Sequence, residues 1–352
     1  MKQAVAGIGI APEIEVPAIE FRRLLLGWYR EHARVLPWRG IDDPYATWLS
    51  EVMLQQTRVA TVIERYREFL TRFPSLQALA AAEENDVLAL WSGLGYYRRA
   101  RMLHRGAQFV VGELHGEMPR SAAELKALPG IGDYTAAAIA SIAFGESVAV
   151  VDGNVERVLL RLMGLPEERT GAGRARVTKA AQSLVPAAAT RGVGNPPGDH
   201  NQAMMELGAT ICTPKSPLCL QCPVVGLCRT RGEHITPARE KQRSRSVAYL
   251  LARRGEKVLL ERRSAEASLM PGMLELPPLP MDAVTAYEPL LRVKHSITNT
   301  NYDVQVFAEG KLRDAVPAAA SDLIWTPAAK LRELPLTGLA RKVLQRVGVM
   351  AK

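Results

Sequence analysis

Four cysteines, Cys212, Cys219, Cys222 and Cys228, are the only ones in the chain, and they lie within one short loop. Gaps of six, two and five residues separate them, and Pro214, Pro217 and Pro223 force turns between them. Four thiolates so close in sequence can surround one centre, which argues against scattered disulfides and for a cytosolic metal-binding pattern. Zinc bound by four thiolates usually sits between two Cys-x-x-Cys knuckles set further apart. A [4Fe–4S] cluster takes a thiolate at each corner and tolerates uneven spacing, so one such cluster fits this loop better. Lys215 and Arg229 flank the ligands, which points to a structural role that presents cations to phosphate, not to electron transfer.

A second stretch with chemical meaning is Leu128-Pro129-Gly130-Ile131-Gly132-Asp133-Tyr134-Thr135-Ala136. Helix-forming residues precede and follow it. Pro129, Gly130 and Gly132 break the helix, permit positive φ and allow close backbone approach. The turn leaves backbone N–H groups at the start of the second helix, a ready seat for a phosphate oxygen. An ordinary αα-corner is the alternative reading of these residues alone.

The elements that position these features differ between the two parts of the chain. At 352 residues there is room for several domains, and 47% hydrophobic with 23% charged residues is an ordinary globular composition. A net charge of +9 favours a polyanionic partner. No apolar run approaches the roughly 20 residues of a membrane helix, and the cysteine pattern leads to the expectation of a cytoplasmic protein. Residues 1–20 read as a flexible arm. Periodicity then predicts helices over 21–34, 45–72, 83–91, 98–114, 121–128, 135–144, 153–163, 174–185 and 200–210. A basic stretch at 231–246 suits a linker. Beyond it Val247–Leu251, Lys257–Glu261 and Tyr302–Phe307 read as strands, which makes residues 247–352 a smaller α/β unit.

Several motifs together resemble the helix-hairpin-helix DNA glycosylases that carry an iron–sulfur cluster, and within them the adenine-specific MutY type. They are Leu36-Pro37-Trp38-Arg39, Trp48-Leu49-Ser50-Glu51-Val52-Met53-Leu54-Gln55-Gln56-Thr57, Gly93-Leu94-Gly95-Tyr96-Tyr97, Val151-Asp152-Gly153-Asn154-Val155 and Asn201–Gly208. The resemblance covers roughly 21–230 densely. It implies an all-α glycosylase domain with a helix-hairpin-helix at 121–144 and an iron–sulfur loop at 212–228, followed by a Nudix-like domain. It further implies a monomer acting on double-stranded DNA with adenine opposite 8-oxoguanine or guanine.

Base removal needs the base turned out of the stack, protonated as a leaving group and replaced at an oxocarbenium-like sugar. Two carboxyls in different environments suit that task. Glu51 lies beside an apolar arc of Val52, Val59 and Ile63, a flank that favours the protonated acid; read alone it is a surface glutamate at the edge of an amphipathic helix. The resemblance implies that Glu51 donates a proton to adenine N7 and then serves as base toward water. Asp152 precedes a helix and suits an N-cap, where the dipole keeps a carboxylate ionised to face the sugar cation. Asn154 would orient Asp152 or the water. Glu206, in isolation a solvated helix position, is implied as a further contact to the base.

Tyr134 occupies the position of the lysine that forms a Schiff base in the related endonuclease III type. A phenol has no amine to condense with the sugar, so a monofunctional enzyme is expected. Gln56 falls on the apolar face of the 45–72 helix, and the resemblance places it with Leu54 and Tyr96 in the gap around the opened pair. Trp38 and Arg39 are implied near the extruded adenine, and Gly130, Ile131 and Gly132 at a phosphate. In the C-terminal part Val258–Arg263 and Leu269–Pro277 are similar to the strand and Gly-rich turn of the Nudix-like domain, without the acidic helix of a diphosphate hydrolase. Where that domain's Phe-Ser-His loop is expected, after His295, the chain has Ile297-Thr298-Asn299. Thr298 and Asn299 keep hydrogen-bonding groups, so discrimination of 8-oxoguanine is expected to be weaker or differently arranged. An endonuclease III-type lyase on oxidised pyrimidines, or a non-catalytic DNA-binding module, are the competing readings.

Overall fold

In the computed structural model, which describes residues 16–167, 170–188, 195–233, 242–297, 299–311 and 322–351, the regular elements before Arg243 are all helical. They are α1 (Ala18–His32), α2 (Pro44–Leu54), α3 (Val59–Arg72), α4 (Leu76–Ala80), α5 (Glu84–Leu90), α6 (Arg98–Glu113), α7 (Ala122–Leu125), α8 (Asp133–Phe144), α9 (Gly153–Met163), α10 (Gly171–Leu184) and α11 (Pro196–Thr210). Strands β1 (Arg243–Leu251), β2 (Arg253–Arg254), β3 (Lys257–Arg262), β4 (Leu274–Glu275), β5 (Pro278–Leu279), β6 (Leu291–Ile297), β7 (Thr300–Ala308) and β8 (Leu323–Pro327) follow, and α12 (Gly338–Arg346) comes after them. The three stretches expected as strands fall inside β1, β3 and β7. Residues 1–15 of the expected arm and 234–241 of the expected linker lie outside the described residues, and Arg243 and Arg245 already belong to β1.

Two compact units divide the chain. One takes Met1–Val35, Arg120–Lys126 and Ile131–Ala238, and so holds α1, α7 to α11 and the cysteine loop. Its core is Phe21 and Leu25 of α1 packed with Val155, Leu159 and Leu162 of α9 and Ala203, Met204 and Leu207 of α11. The helix ends are set by sequence: Asp152 caps α9 with its side chain, Asn195 caps α11, and Gly164 closes α9 at φ +70°.

The other unit takes Leu36–Pro119, Ala127–Gly130 and Arg239–Lys352. Its helical portion packs α2 against α3 and α6, and α4 and α5 against α6. Its strands form two sheets, one ordered β5-β1-β7-β6 and the other β2-β3-β4 with β8 also paired to β3. The β1–β7 pair is parallel from Arg243↔Thr300 to Leu251↔Ala308, while β6 and β7 are antiparallel and end at Ile297↔Thr300. Apolar residues of both sheets and of α12, including Val258, Leu260, Val304, Val306, Leu339 and Val343, share one core.

Candidate active site

Asp43 accepts the Tyr45 amide and Pro44 opens the first turn, so α2 starts cleanly. The run Tyr45 to Met53 is then buried without a break. Glu51 sits inside that run at 5% exposure, a core position and not the edge of an amphipathic helix. Trp48, one turn earlier, is fully buried against Gly106; a Cβ at Gly106 would meet the indole at 2.5 Å. The expected helix 45–72 is two helices. It breaks after Leu54 because Val52, Met53 and Gln55 turn their carbonyl oxygens onto the Arg99 guanidinium. Gln56 therefore leaves the apolar face assigned to it: it is exposed, in the connection, at φ +54°.

Tyr96 shows the same device. It is 46% exposed at φ +48° between the loop glycine Gly95 and the buried Tyr97, whose hydroxyl donates to Leu336 O at 2.9 Å. Gln56, Tyr96, Trp48 and Val52 line a cavity of about 1110 Å³ together with Pro129, Gly130, His295, Ile297, Arg341 and Lys342, all in this unit. Glu51 is not among its lining residues. Leu54 is half-buried at the end of α2. Trp38 is buried edge-on to Tyr66, at 5.4 Å between rings, and Arg39 is half-buried. Burial and the nearby Lys342 push the His295 imidazole below its usual range. Ile297 ends β6 half-buried, Asn299 is exposed before β7, and Thr298 lies outside the described residues.

In the other unit, Asp152 is held by three donors. Its Oδ1 accepts the amides of Asn154 and Val155 at 2.9 and 2.7 Å, and its Oδ2 accepts Asn154 Nδ2 at 2.9 Å. Asn154 Oδ1 in turn accepts Arg157 Nη2, and Arg157 donates onward to the carbonyls of Gly208 and Cys212. Gly208 permits this approach, since a Cβ there would lie 2.7 Å from that of Asn154. The N-cap and orienting readings of Asp152 and Asn154 are thus one arrangement. Tyr134 is half-buried, with its hydroxyl 3.5 Å from Met205 Sδ. Glu206 is 1% exposed, not solvated, and its carboxylate takes both Nε and Nη2 of Arg34 at 2.7 Å.

The hairpin turn has Gly130 at φ +79° and Gly132 as the N-cap of α8, while the Ile131 side chain is buried. Only the backbone of Ile131 is left to serve a phosphate. Asp133 begins α8 with its exposed carboxylate 2.8 Å from Lys126 Nζ.

The cysteine loop is strapped to α9. Arg161, buried in α9, donates to Thr213 O and Pro214 O and reaches Cys212 Sγ at 3.4 Å, and Cys228 Sγ lies 3.4 Å from Arg161 O. Burial, and to a smaller extent the other three cysteines, push the Cys222 thiol up to about 11. Four thiolates crowded in this way call for a cationic centre among them, which a four-thiolate cluster provides. Cys212, Cys219, Cys222 and Cys228 would hold it.

Arg34, Arg99, Arg157 and Arg161 carry much of this geometry, and sequence reasoning missed them all. Arg157 and Arg161 gave one signal, an arginine inside the otherwise largely apolar stretch of α9, and Arg34 and Arg99 gave none. Nothing in the sequence marked the carbonyls they serve.

Comparison with known proteins agrees with this architecture. Residues 49–186 match the family described as HhH-GPD superfamily base excision DNA repair protein, and residues 212–228 the iron-sulfur binding domain of endonuclease III. In fold, a thermostable thymine-DNA glycosylase superposes with a TM-score of 0.54 at 29% identity, over 60% of this chain and 94% of that one. The matched segments 49–186 and 212–228 lie in the helical part of the chain, which is thus similar to the helix-hairpin-helix base-excision repair proteins and to their iron–sulfur motif. Its sequence is similar to the adenine DNA glycosylases: 51% identical over 221 residues to the human protein and 38% over 211 residues to one from Buchnera aphidicola subsp. Baizongia pistaciae. These matches cover 60% of this chain but only 39% and 58% of those proteins, so the chain spans roughly half the length of the relatives it matches. No helix among the described residues is long and apolar enough to cross a membrane.

Proposed function

We propose that this protein is a monofunctional DNA glycosylase that hydrolyses the N-glycosidic bond of adenine opposite 8-oxoguanine or guanine in duplex DNA. The observation that carries the reading is the contrast between its two carboxyls. Glu51 is buried within the run Tyr45 to Met53 of α2, whereas Asp152 is held by three N–H donors at the N-terminus of α9, two different settings that suit a proton donor and a partner for positive charge.

In this reading the adenine is extruded and Glu51 gives its proton to N7. The C1′–N9 bond breaks with its electrons leaving on the base, and ionised Asp152 stabilises the sugar cation. Water adds to C1′ and its proton returns to Glu51, restoring both carboxyls. Asn154, which bonds both Asp152 and Arg157, keeps the carboxylate oriented. The iron–sulfur cluster supplies a structural cross-link within its loop. Tyr134 offers no amine, so the abasic sugar is left without strand cleavage. The C-terminal sheets serve as a Nudix-like reader of the opposite base, with Ile297, Thr298 and Asn299 at its recognition turn. Cationic Arg341 and Lys342 on α12 suit the phosphates of DNA.

A panel of duplexes holding A:8-oxoguanine, A:G or an oxidised pyrimidine, developed with and without alkali, tests this. Alkali-dependent cleavage at adenine alone is expected, with no efficient borohydride trapping of a protein–DNA adduct. Alkali-independent cleavage, or release of a pyrimidine, contradicts it.

A further inference from the structure

Arg99, the second residue of α6, belongs to no motif that the sequence marks, yet its guanidinium ties two loops together. Its Nη1 donates to the carbonyls of Val52, Met53 and Gln55 at 2.6, 3.0 and 2.6 Å. Its Nη2 donates to Thr57 Oγ1, Leu94 O and Gly95 O, each at 3.1 Å. The guanidinium also lies over the rings of Trp91 and Tyr96, at 5.4 and 5.6 Å. One nitrogen therefore holds the end of α2 and the other bridges the Thr57 side of that turn to the Gly93–Tyr96 loop.

These two segments carry Gln56 and Tyr96, both non-glycine residues at positive φ and both exposed on the cavity. Left-handed backbone at such residues is strained and persists only where the surroundings impose it. The carbonyls that turn inward to Arg99 are what impose it here. The end of α2 has no glycine cap, so its last carbonyls depend on this side chain for hydrogen bonds.

We infer that Arg99 is a positioning residue for base-pair opening: its planar fork fixes Gln56 and Tyr96 relative to each other so that both enter the duplex as one rigid wedge. Resting on the glycosylase reading above, the inference adds the residue that sets the wedge. A lysine keeps the charge but donates from one point, and it cannot serve both sets of acceptors.

The test uses the full-length, cluster-loaded protein with Arg99→Lys and, as a milder change, Thr57→Val. Opening is read from the fluorescence of 2-aminopurine placed opposite 8-oxoguanine, at saturating protein. Single-turnover adenine release is measured opposite 8-oxoguanine and opposite a tetrahydrofuran abasic analogue, where no pair has to be opened. Arg99→Lys is expected to lose most of the fluorescence rise and about tenfold or more in rate on the paired adenine, but no more than about threefold on the unpaired one. Thr57→Val should fall between Arg99→Lys and wild type. Equal losses on both duplexes, a wild-type fluorescence rise in Arg99→Lys, or no rise with the wild-type protein would each overturn the inference. Opening by the wild-type protein without adenine release would instead count against the glycosylase reading and leave the wedge intact.

Discussion

Asp133 places an exposed carboxylate on the first residue of α8, where a phosphate oxygen would sit, and Lys126 answers it at 2.8 Å. Hydrogen bonding from Lys126 holds this carboxyl below its usual range, so it is charged at neutral pH. An acid at a helix N-terminus stabilises the helix but competes with an incoming anion. Asp133→Asn should therefore tighten binding to duplex DNA by about two- to threefold at low salt, an effect that fades as salt rises; fluorescence anisotropy across a salt series would show it. At this scale the sequence was most informative where a residue's neighbours are local. Asp152 as a cap and the four cysteines as one set could be read from the local sequence. Glu206 could not, because its partner Arg34 lies 172 positions away.

The two glycines of the hairpin carry different loads. Gly130 has φ +79°, and a Cβ there would meet Met102 Cβ at 2.4 Å, whereas Gly132 has extended backbone with open space around its Cβ position. Gly130→Ala should destabilise the protein by about 1–3 kcal/mol through backbone strain and overlap. Gly132→Ala, which loses little as a cap, should cost no more than about 1 kcal/mol. Denaturant unfolding of the two variants distinguishes them. The hairpin's role was visible in Pro129, Gly130 and Gly132, but the difference between the glycines depends on Met102 of α6. The break between α2 and α3 was hidden for a related reason. Val52, Val59 and Ile63 keep helical spacing straight through it, without glycine or proline, and the cause is the side chain of Arg99, more than forty positions on.

For the molecule as a whole, the helical part was legible in period and motif, while the C-terminal part was legible only where strands alternate. β6, β8 and α12 went unassigned because their apolar residues answer to partners in other strands, as Leu260↔Ile324 and Val293↔Val304 do. Acid stability depends on a residue that motif reading passed over. His200 is buried against Phe21, and burial, with Arg22 nearby, lowers its imidazole to about 3. Between its ordinary value of 6.5 and about 3 the unfolded chain holds a proton there that the native state refuses. Stability should therefore be retained above the unfolded value and fall by up to about 1.4 kcal/mol per pH unit below it. Unfolding of wild type and His200→Leu from pH 7 to 4.5, with cluster absorbance followed in parallel, should show a shallower decline in the variant.

In the proposed reaction Glu51 is the proton donor for adenine release. That role is tested most directly by comparing wild type with Glu51→Gln in single-turnover release of adenine from an A:8-oxoguanine duplex, alongside the affinity of each for that duplex. An amide fills the same space but cannot give up the proton, so release should fall by about 100-fold or more while binding and cluster content stay at wild-type levels. Release at an undiminished rate by Glu51→Gln would contradict the account.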